Sequence, residues 1–84
     1  MKITISNSSI KRCRNKVPIT GIGKVINSAL LLFQLCDVEQ IIAEFIYDFD
    51  NKQLYNILLY LIRENCEDQK IIDELKDFDY EKID

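Results

Sequence analysis

The sequence has no histidine and no tryptophan, and it has only one proline and two glycines in 84 residues. Histidine is the commonest general base and the commonest metal ligand, so its absence argues against an enzyme and against a metal centre. A chain this short buries only about 60% of the surface that its unfolded form exposes, which disfavours a deep catalytic cleft. We therefore predict a small non-enzymatic protein without a metal or cofactor.

The cysteines do not form a pattern that indicates a disulfide framework or a zinc site. Cys13, Cys36 and Cys66 are three in number, and no two of them have the Cys-x-x-Cys spacing. A disulfide framework needs an even set, and a zinc site usually needs four nitrogen or sulfur ligands. We expect three reduced thiols in a reducing compartment.

Long apolar runs are also absent. The longest, residues 29–33 and 57–62, are far shorter than the ~20 residues that span a bilayer, and the polar start of the chain argues against a signal peptide. We expect no membrane contact and a cytoplasmic protein, in the host cytoplasm if its source is viral. The abundance of Ile, Lys, Asn, Asp and Tyr is typical of AT-rich codons, and so of a low-GC bacterium, its phage or an AT-rich virus.

The charges divide the chain into two unlike parts. Residues 1–36 hold six basic residues and no acid, whereas residues 37–84 hold fourteen acids and five basic residues, for a net charge of −3. Such an asymmetry indicates a charged partner, or a basic segment that folds back onto an acidic body. The sequence leaves both alternatives open.

The residue pattern changes near residue 20, which predicts a basic N-terminal arm or hairpin over residues 1–20 and a helical bundle domain over residues 21–84. Residues 2–5 alternate with period two and residues 6–9 are rich in turn formers. This part of the chain fits a short β-hairpin, a disordered arm, or a short helix capped by Ser8 or Ser9. Pro18 ends whatever structure precedes it.

The first two helices are predicted over residues 24–36 and after residue 37. The first is apolar nearly all round, so we expect it to be buried on several sides. The second begins at a capping box formed by Asp37 and Gln40. Its narrow apolar stripe consists of Val38, Ile41, Ile42, Phe45, Ile46 and Phe49.

Two more helices complete the predicted fold. The third covers roughly residues 52–65 behind a second capping box, Asp50 with Gln53, and again has a broad apolar arc. The fourth begins near Glu67 or Asp68, and its inward positions are Ile71, Ile72, Leu75 and Phe78. We therefore predict an all-α fold, a compact bundle of about four short antiparallel helices. Two of these helices carry more apolar surface than the bundle can bury, which predicts a homodimer or a cognate protein partner.

The loop Thr20-Gly21-Ile22-Gly23-Lys24 opens a helix, whose free N–H groups make a natural anion site. It is not a phosphate-binding P-loop, because Pro18 and Val25 occupy positions that this motif reserves for glycine and for serine or threonine. Its Gly-Ile-Gly-Lys turn resembles the hairpin of the helix-hairpin-helix family over roughly residues 10–33, with Asn27 where that family usually has alanine. The resemblance implies that Gly21, Gly23 and Lys24 hold a nucleic-acid phosphate without sequence preference. The basic residues expected beside them are Lys11, Arg12, Arg14 and Lys16.

The acidic part of the chain predicts a different binding surface. Tyr47 is expected on the outer face of the second helix, where the apolar stripe gives it no role in the core. An aromatic residue within an acidic surface is typical of a hot spot for a basic partner. The predicted contact residues are Glu39, Glu44, Tyr47, Asp48, Asp73 and Asp77.

These observations rank the candidate functions. The favoured hypothesis is a small acidic inhibitor, immunity or antagonist protein that occupies a basic surface of a partner protein. A nucleic-acid-binding protein that uses the basic arm and the Gly21 turn is the first alternative, although the chain is acidic overall and has no aromatic residue before Phe33. The helical arrangement is also similar, without a shared motif, to small death-like adaptor domains of bacterial defence proteins, which implies an adaptor as a further alternative.

Overall fold

The structure is a computed structural model that describes residues 1–17 and 21–77, and every regular element in those residues is helical. In chain order the elements are α1 (Asn7–Lys16), α2 (Ile22–Leu35), α3 (Val38–Gln40), a π-helical segment (Ile41–Phe45), a 3-10 segment (Ile46–Asp48), α4 (Lys52–Asn65), α5 (Gln69–Glu74) and a second 3-10 segment (Leu75–Asp77). Residues 38–48 form one continuous helical stretch. The predicted compact all-α bundle is confirmed.

Helix α4 runs through the centre of the bundle. Residues 56–62 are all buried, and α4 packs against α1, α2 and the 3-10 segment before it. A helix that is enclosed on several sides needs a broad apolar surface, which explains its wide apolar arc. Asn56 is the polar member of this run, and its side-chain amide donates to the carbonyl of Lys52 at 2.9 Å, so its burial leaves this amide satisfied.

Helix α2 is buried on one face only, contrary to the expectation from its sequence. Ile26, Ala29 and Phe33 lie in the core, whereas Leu31 and Leu35 are 53% and 69% exposed. The physical reason is that α4 occupies the centre of the bundle. Helix α2 therefore lies at the outside and meets α4 with a single stripe.

The N-terminal segment folds as a helix, not as a hairpin or a disordered arm. Ser9, Cys13 and Val17 are buried at helical spacing, and α1 packs on α4. Before it, the carbonyl of Met1 accepts a hydrogen bond from the amide of Val38 at 2.7 Å, which holds the start of the chain against α3.

The helix caps follow the sequence with small shifts. Asp37 caps α3 as predicted, with its carboxylate accepting from the amide of Gln40 at 3.0 Å, and Asp68 caps α5. Helix α1 is capped by Ser6, not by Ser8 or Ser9, and α4 is capped by Asn51, not by Asp50. Both true caps have the extended backbone that a capping residue needs directly before the first turn.

Most predicted apolar positions of the 38–48 stretch and of α5 pack inward, but Phe45 and Ile72 are only half-buried and do not join the core. The amide of Ile46 donates to the carbonyl of Ile41 five residues back, and this wider π turn brings both fully buried residues to the core side. In α5 and the 3-10 segment after it, Ile71 and Leu75 are buried. The guanidinium of Arg63 donates to the carbonyl of Leu75, which ties this end to α4. Phe78 lies outside the described residues.

Candidate protein-binding surface

Tyr47 joins two acidic elements of the structure. It lies in the 3-10 segment that ends the 38–48 stretch, and its hydroxyl donates to the carboxylate of Glu74 at 2.9 Å, at the end of α5. The residue is 54% exposed. A hydrogen bond at the polar tip therefore orders the side chain while more than half of the residue stays accessible.

The acids predicted on the same stretch as Tyr47 lie at the surface. Glu44 and Asp48 are exposed, and the carboxylate of Glu44 accepts weakly from the Gln40 side-chain amide at 3.4 Å. Glu39 is also exposed, but its carboxylate binds the amino group of Met1, and that hydrogen bond lowers the pKa of Glu39. Glu39 is therefore already engaged within the chain, whereas Glu44 and Asp48, on either side of Tyr47 in the sequence, form no ion pair among the described residues.

Of the two acids predicted in the C-terminal part, the structure describes the side chain of Asp73 but not that of Asp77. Asp73 is exposed, accepts from the side-chain amide of Gln69 at 2.9 Å, and pairs with Lys76 at 2.8 Å. The hydrogen bond from Lys76 is the main reason that the pKa of Asp73 is lowered. The side chain of Asp77 lies outside the described part of the chain.

Glu74 belongs to this surface and was not found from the sequence. It is 27 residues from Tyr47, and no local pattern links the two positions. Only the burial of Ile71 and Leu75, which sets the orientation of α5, brings Glu74 to the tyrosine hydroxyl. We define the Tyr47 surface as Tyr47 and Glu74, which are in contact, together with the exposed acids near them in the chain, Glu44, Asp48 and Asp73.

The basic residues of α1 are partly engaged with the body of the protein. The Arg12 guanidinium pairs with the carboxylate of Glu64 on α4 at 2.6 Å and also donates to the hydroxyl of Ser9 at 3.1 Å. The Tyr60 hydroxyl donates to the same Glu64 oxygen at 2.9 Å. The hydrogen bond from Arg12 lowers the pKa of Glu64 and is matched by a raised pKa of Arg12. At this point the basic segment folds back onto the acidic body.

The other residues predicted for nucleic-acid binding lie on two helices. Lys11, Arg14 and Lys16 are exposed on α1. The predicted turn residues Gly21, Gly23 and Lys24 lie together at the start of α2. Gly21 caps α2 in the left-handed conformation with φ +71°, so glycine serves the backbone bend here.

Residues 1–17 and 21–77 bring no three Cys, Asp or Glu side chains together in a way that would hold a metal ion. Within the same ranges, each helix is too short or too polar to cross a membrane.

No protein-family model, curated protein or solved structure matches this chain. Its function is therefore inferred from the surfaces described above.

Proposed function

We propose that the protein is a non-enzymatic inhibitor, immunity or antagonist protein that binds a basic surface of a partner protein through the Tyr47 surface. The observation that carries this proposal is the 2.9 Å hydrogen bond from Tyr47 to Glu74, which orders an exposed aromatic residue among carboxylates. Tyrosine is among the residues that dominate binding energy at protein interfaces.

The physical basis of the proposal is preorganisation combined with charge. A side chain whose tip is already hydrogen-bonded loses less conformational entropy on binding than a freely rotating one. The exposed carboxylates of Glu44 and Asp48 beside it attract a basic partner and raise the association rate at low salt. The tyrosine thus supplies an anchor, and the carboxylates near it in the chain supply an orienting field.

The same charges disfavour nucleic acid as the partner. The chain has a net charge of −3, and the Arg12 guanidinium is paired with the carboxylate of Glu64. Phosphate binding depends on cations that can replace counterions along the backbone, so pairing Arg12 internally weakens this alternative.

The proposal is tested by mapping a basic probe onto the protein by NMR. A short peptide rich in arginine and lysine is added to the 15N-labelled protein at low salt, and a mixed-sequence DNA duplex is added to a second sample. We expect the peptide to shift the amide signals of residues 44–48 and 73–74 most strongly, and the duplex to shift none.

Two results would count against the proposal. One is a set of peptide-induced shifts spread over all acidic residues alike, because that is general charge attraction without a site. The other is a set of duplex-induced shifts on α1 and the start of α2 that disappear as salt is raised, because that favours the nucleic-acid alternative.

A further inference from the structure

The outer face of α2 carries two leucines that no other part of the described chain covers. Leu31 is 53% exposed and Leu35 is 69% exposed, and they are four residues apart on the side opposite the buried Ile26, Ala29 and Phe33. Residues at this spacing lie one turn apart on the same face of a helix. The face lies on a different helix from the Tyr47 surface, so it is a separate candidate contact.

The charges at the two ends of α2 are arranged unfavourably for an isolated helix. Its only charged residue, Lys24, lies in the first turn, and no basic residue lies in the last turn. Asp37 follows directly beyond the carboxyl end, where its carboxylate caps α3 and lies 3.7 Å from the amino group of Met1, with the side chain still 45% exposed. A cation at the amino end and an anion at the carboxyl end both oppose the helix dipole.

An antiparallel second copy of α2 reverses this arrangement. Lys24 lies seven residues before Leu31, and Asp37 lies six residues after it. Helix α2 ends at Leu35, four residues after Leu31, and Cys36 and Asp37 beyond it have extended backbone. With Leu31 on a two-fold axis, Lys24 of one copy therefore lies about 4–5 Å beyond the level of Leu35 in the other, measured along the helix axis. The cation then lies at the negative end of the second helix, from which the chain continues to Asp37, twice by symmetry.

We propose that the outer face of α2 is a self-association surface on which two copies of the chain pair antiparallel about Leu31. A parallel pair is disfavoured because it sets each Lys24 beside its own copy. Leu31 and Leu35 supply the apolar contact, and the uncharged Asn27 and Ser28 on the same side place no further charge in the interface. A single pair of 14-residue helices buries less surface area than a standard stable interface, so we expect the dimer to be weak.

The first test is the mass of the protein in solution by sedimentation equilibrium. We expect a shift from 9.9 kDa at low concentration toward twice that mass at concentrations on the order of hundreds of micromolar. Leu31→Lys is expected to stay monomeric at every concentration, with an unchanged helical circular dichroism spectrum. Tyr47→Ala, which removes exposed surface elsewhere, is expected to dimerise like the unaltered protein.

Charge reversal tests the antiparallel arrangement. Lys24→Glu places an acid at the negative end of the other copy's α2, at both ends of the pair, so we expect the dimer dissociation constant to rise roughly tenfold. Lys70→Glu makes the same change in charge at an exposed position of α5 and serves as the matched control, with little effect expected.

Disulfide cross-linking tests the position of the two-fold axis. In a Cys36→Ser background, Leu31→Cys is expected to form a disulfide-linked dimer under mild oxidation, because residue 31 faces its own copy. Leu35→Cys is expected to link poorly, because the two residues lie about 12 Å apart along the axis. A 9.9 kDa mass at all concentrations overturns the proposal, and so does equal cross-linking at the two positions.

Discussion

The hydroxyl of Tyr47 donates to the carboxylate of Glu74, and this contact joins the end of the 38–48 stretch to the end of α5. It orders an exposed aromatic side chain at the point where acids from two separate parts of the chain meet. The proposed binding surface therefore depends on the tertiary packing of α5 as much as on the acidic stretch itself.

The different burial of two leucines predicts different costs of truncation. Leu61 on α4 is fully buried and Leu35 on α2 is 69% exposed. Leu61→Ala leaves a cavity in the core, so we expect the free energy of unfolding to fall by about 2–5 kcal/mol. Leu35→Ala is expected to change it by less than about 0.5 kcal/mol. Urea unfolding at low protein concentration measures both, and similar losses for the two variants would contradict the placement of α4 at the centre.

The two glycines at the start of α2 are expected to respond oppositely to alanine. Gly21 has φ +71°, whereas Gly23 is within the helix, and a Cβ at either position meets no atom within 4 Å. Gly21→Ala strains a left-handed backbone and should cost about 1 kcal/mol. Gly23→Ala should gain up to about 1 kcal/mol because alanine favours the helix. The measurement is thermal unfolding, and destabilisation by both changes would show that Gly23 has a packing role.

The Arg12–Glu64 pair makes part of the stability dependent on acid pH. The hydrogen bond from Arg12 lowers the pKa of Glu64 in the folded protein. The contribution of the Arg12–Glu64 pair to the free energy of unfolding is therefore complete above the unfolded pKa of about 4.3. It is lost as the pH falls through the lower pKa of the folded protein. Between about pH 5 and about pH 3, the urea midpoint should fall more steeply in the unaltered protein than in Glu64→Gln.

The control for this experiment is Glu67→Gln at an exposed position of the α4–α5 loop. In this variant the urea midpoint should fall with decreasing pH as steeply as it does in the unaltered protein. Parallel slopes for the unaltered protein and Glu64→Gln would show that the pair contributes nothing to the pH dependence.

The three thiols are expected to differ in reactivity. Cys13 is fully buried, and burial raises the pKa of its thiol to about 11. Burial also raises the pKa of Cys66, which is 5% exposed, whereas Cys36 is half-buried. Because the thiolate is the reactive form and must be accessible, a disulfide reagent at about pH 8 should modify Cys36 quickly, and Cys13 and Cys66 only after unfolding. Rapid modification of all three would contradict the burial of Cys13 and Cys66.

Apolar periodicity predicted the helices after residue 20 but not their places in the bundle, and it left α1 as one of three alternatives for the N-terminal segment. The broad arc over residues 52–65 matches α4, whose bounds are Lys52–Asn65. The similar arc of α2 predicted burial on several sides, but Leu31 and Leu35 are exposed. Two helices with similar composition compete for one central position, and local sequence does not decide which one takes it.

Local sequence also fails to decide which residue caps a helix and which residues distant in sequence come into contact. Ser6 and Asn51 lie beside other good capping residues, so propensity alone does not choose among them. The contact of Arg12 with Glu64 spans 52 residues, and that of Tyr47 with Glu74 spans 27. Such contacts depend on how helices pack, which single-sequence patterns do not contain.

The most direct test of the central claim compares the affinity of the arginine- and lysine-rich peptide for matched variants by fluorescence anisotropy. Glu44→Lys and Glu67→Lys make the same change in charge at exposed positions, but only Glu44 belongs to the Tyr47 surface. We expect Glu44→Lys and Tyr47→Ala each to weaken binding by about tenfold or more, Tyr47→Phe to weaken it less, and Glu67→Lys to have little effect. Equal weakening by Glu44→Lys and Glu67→Lys, with no effect of Tyr47→Ala, would contradict a binding site centred on Tyr47.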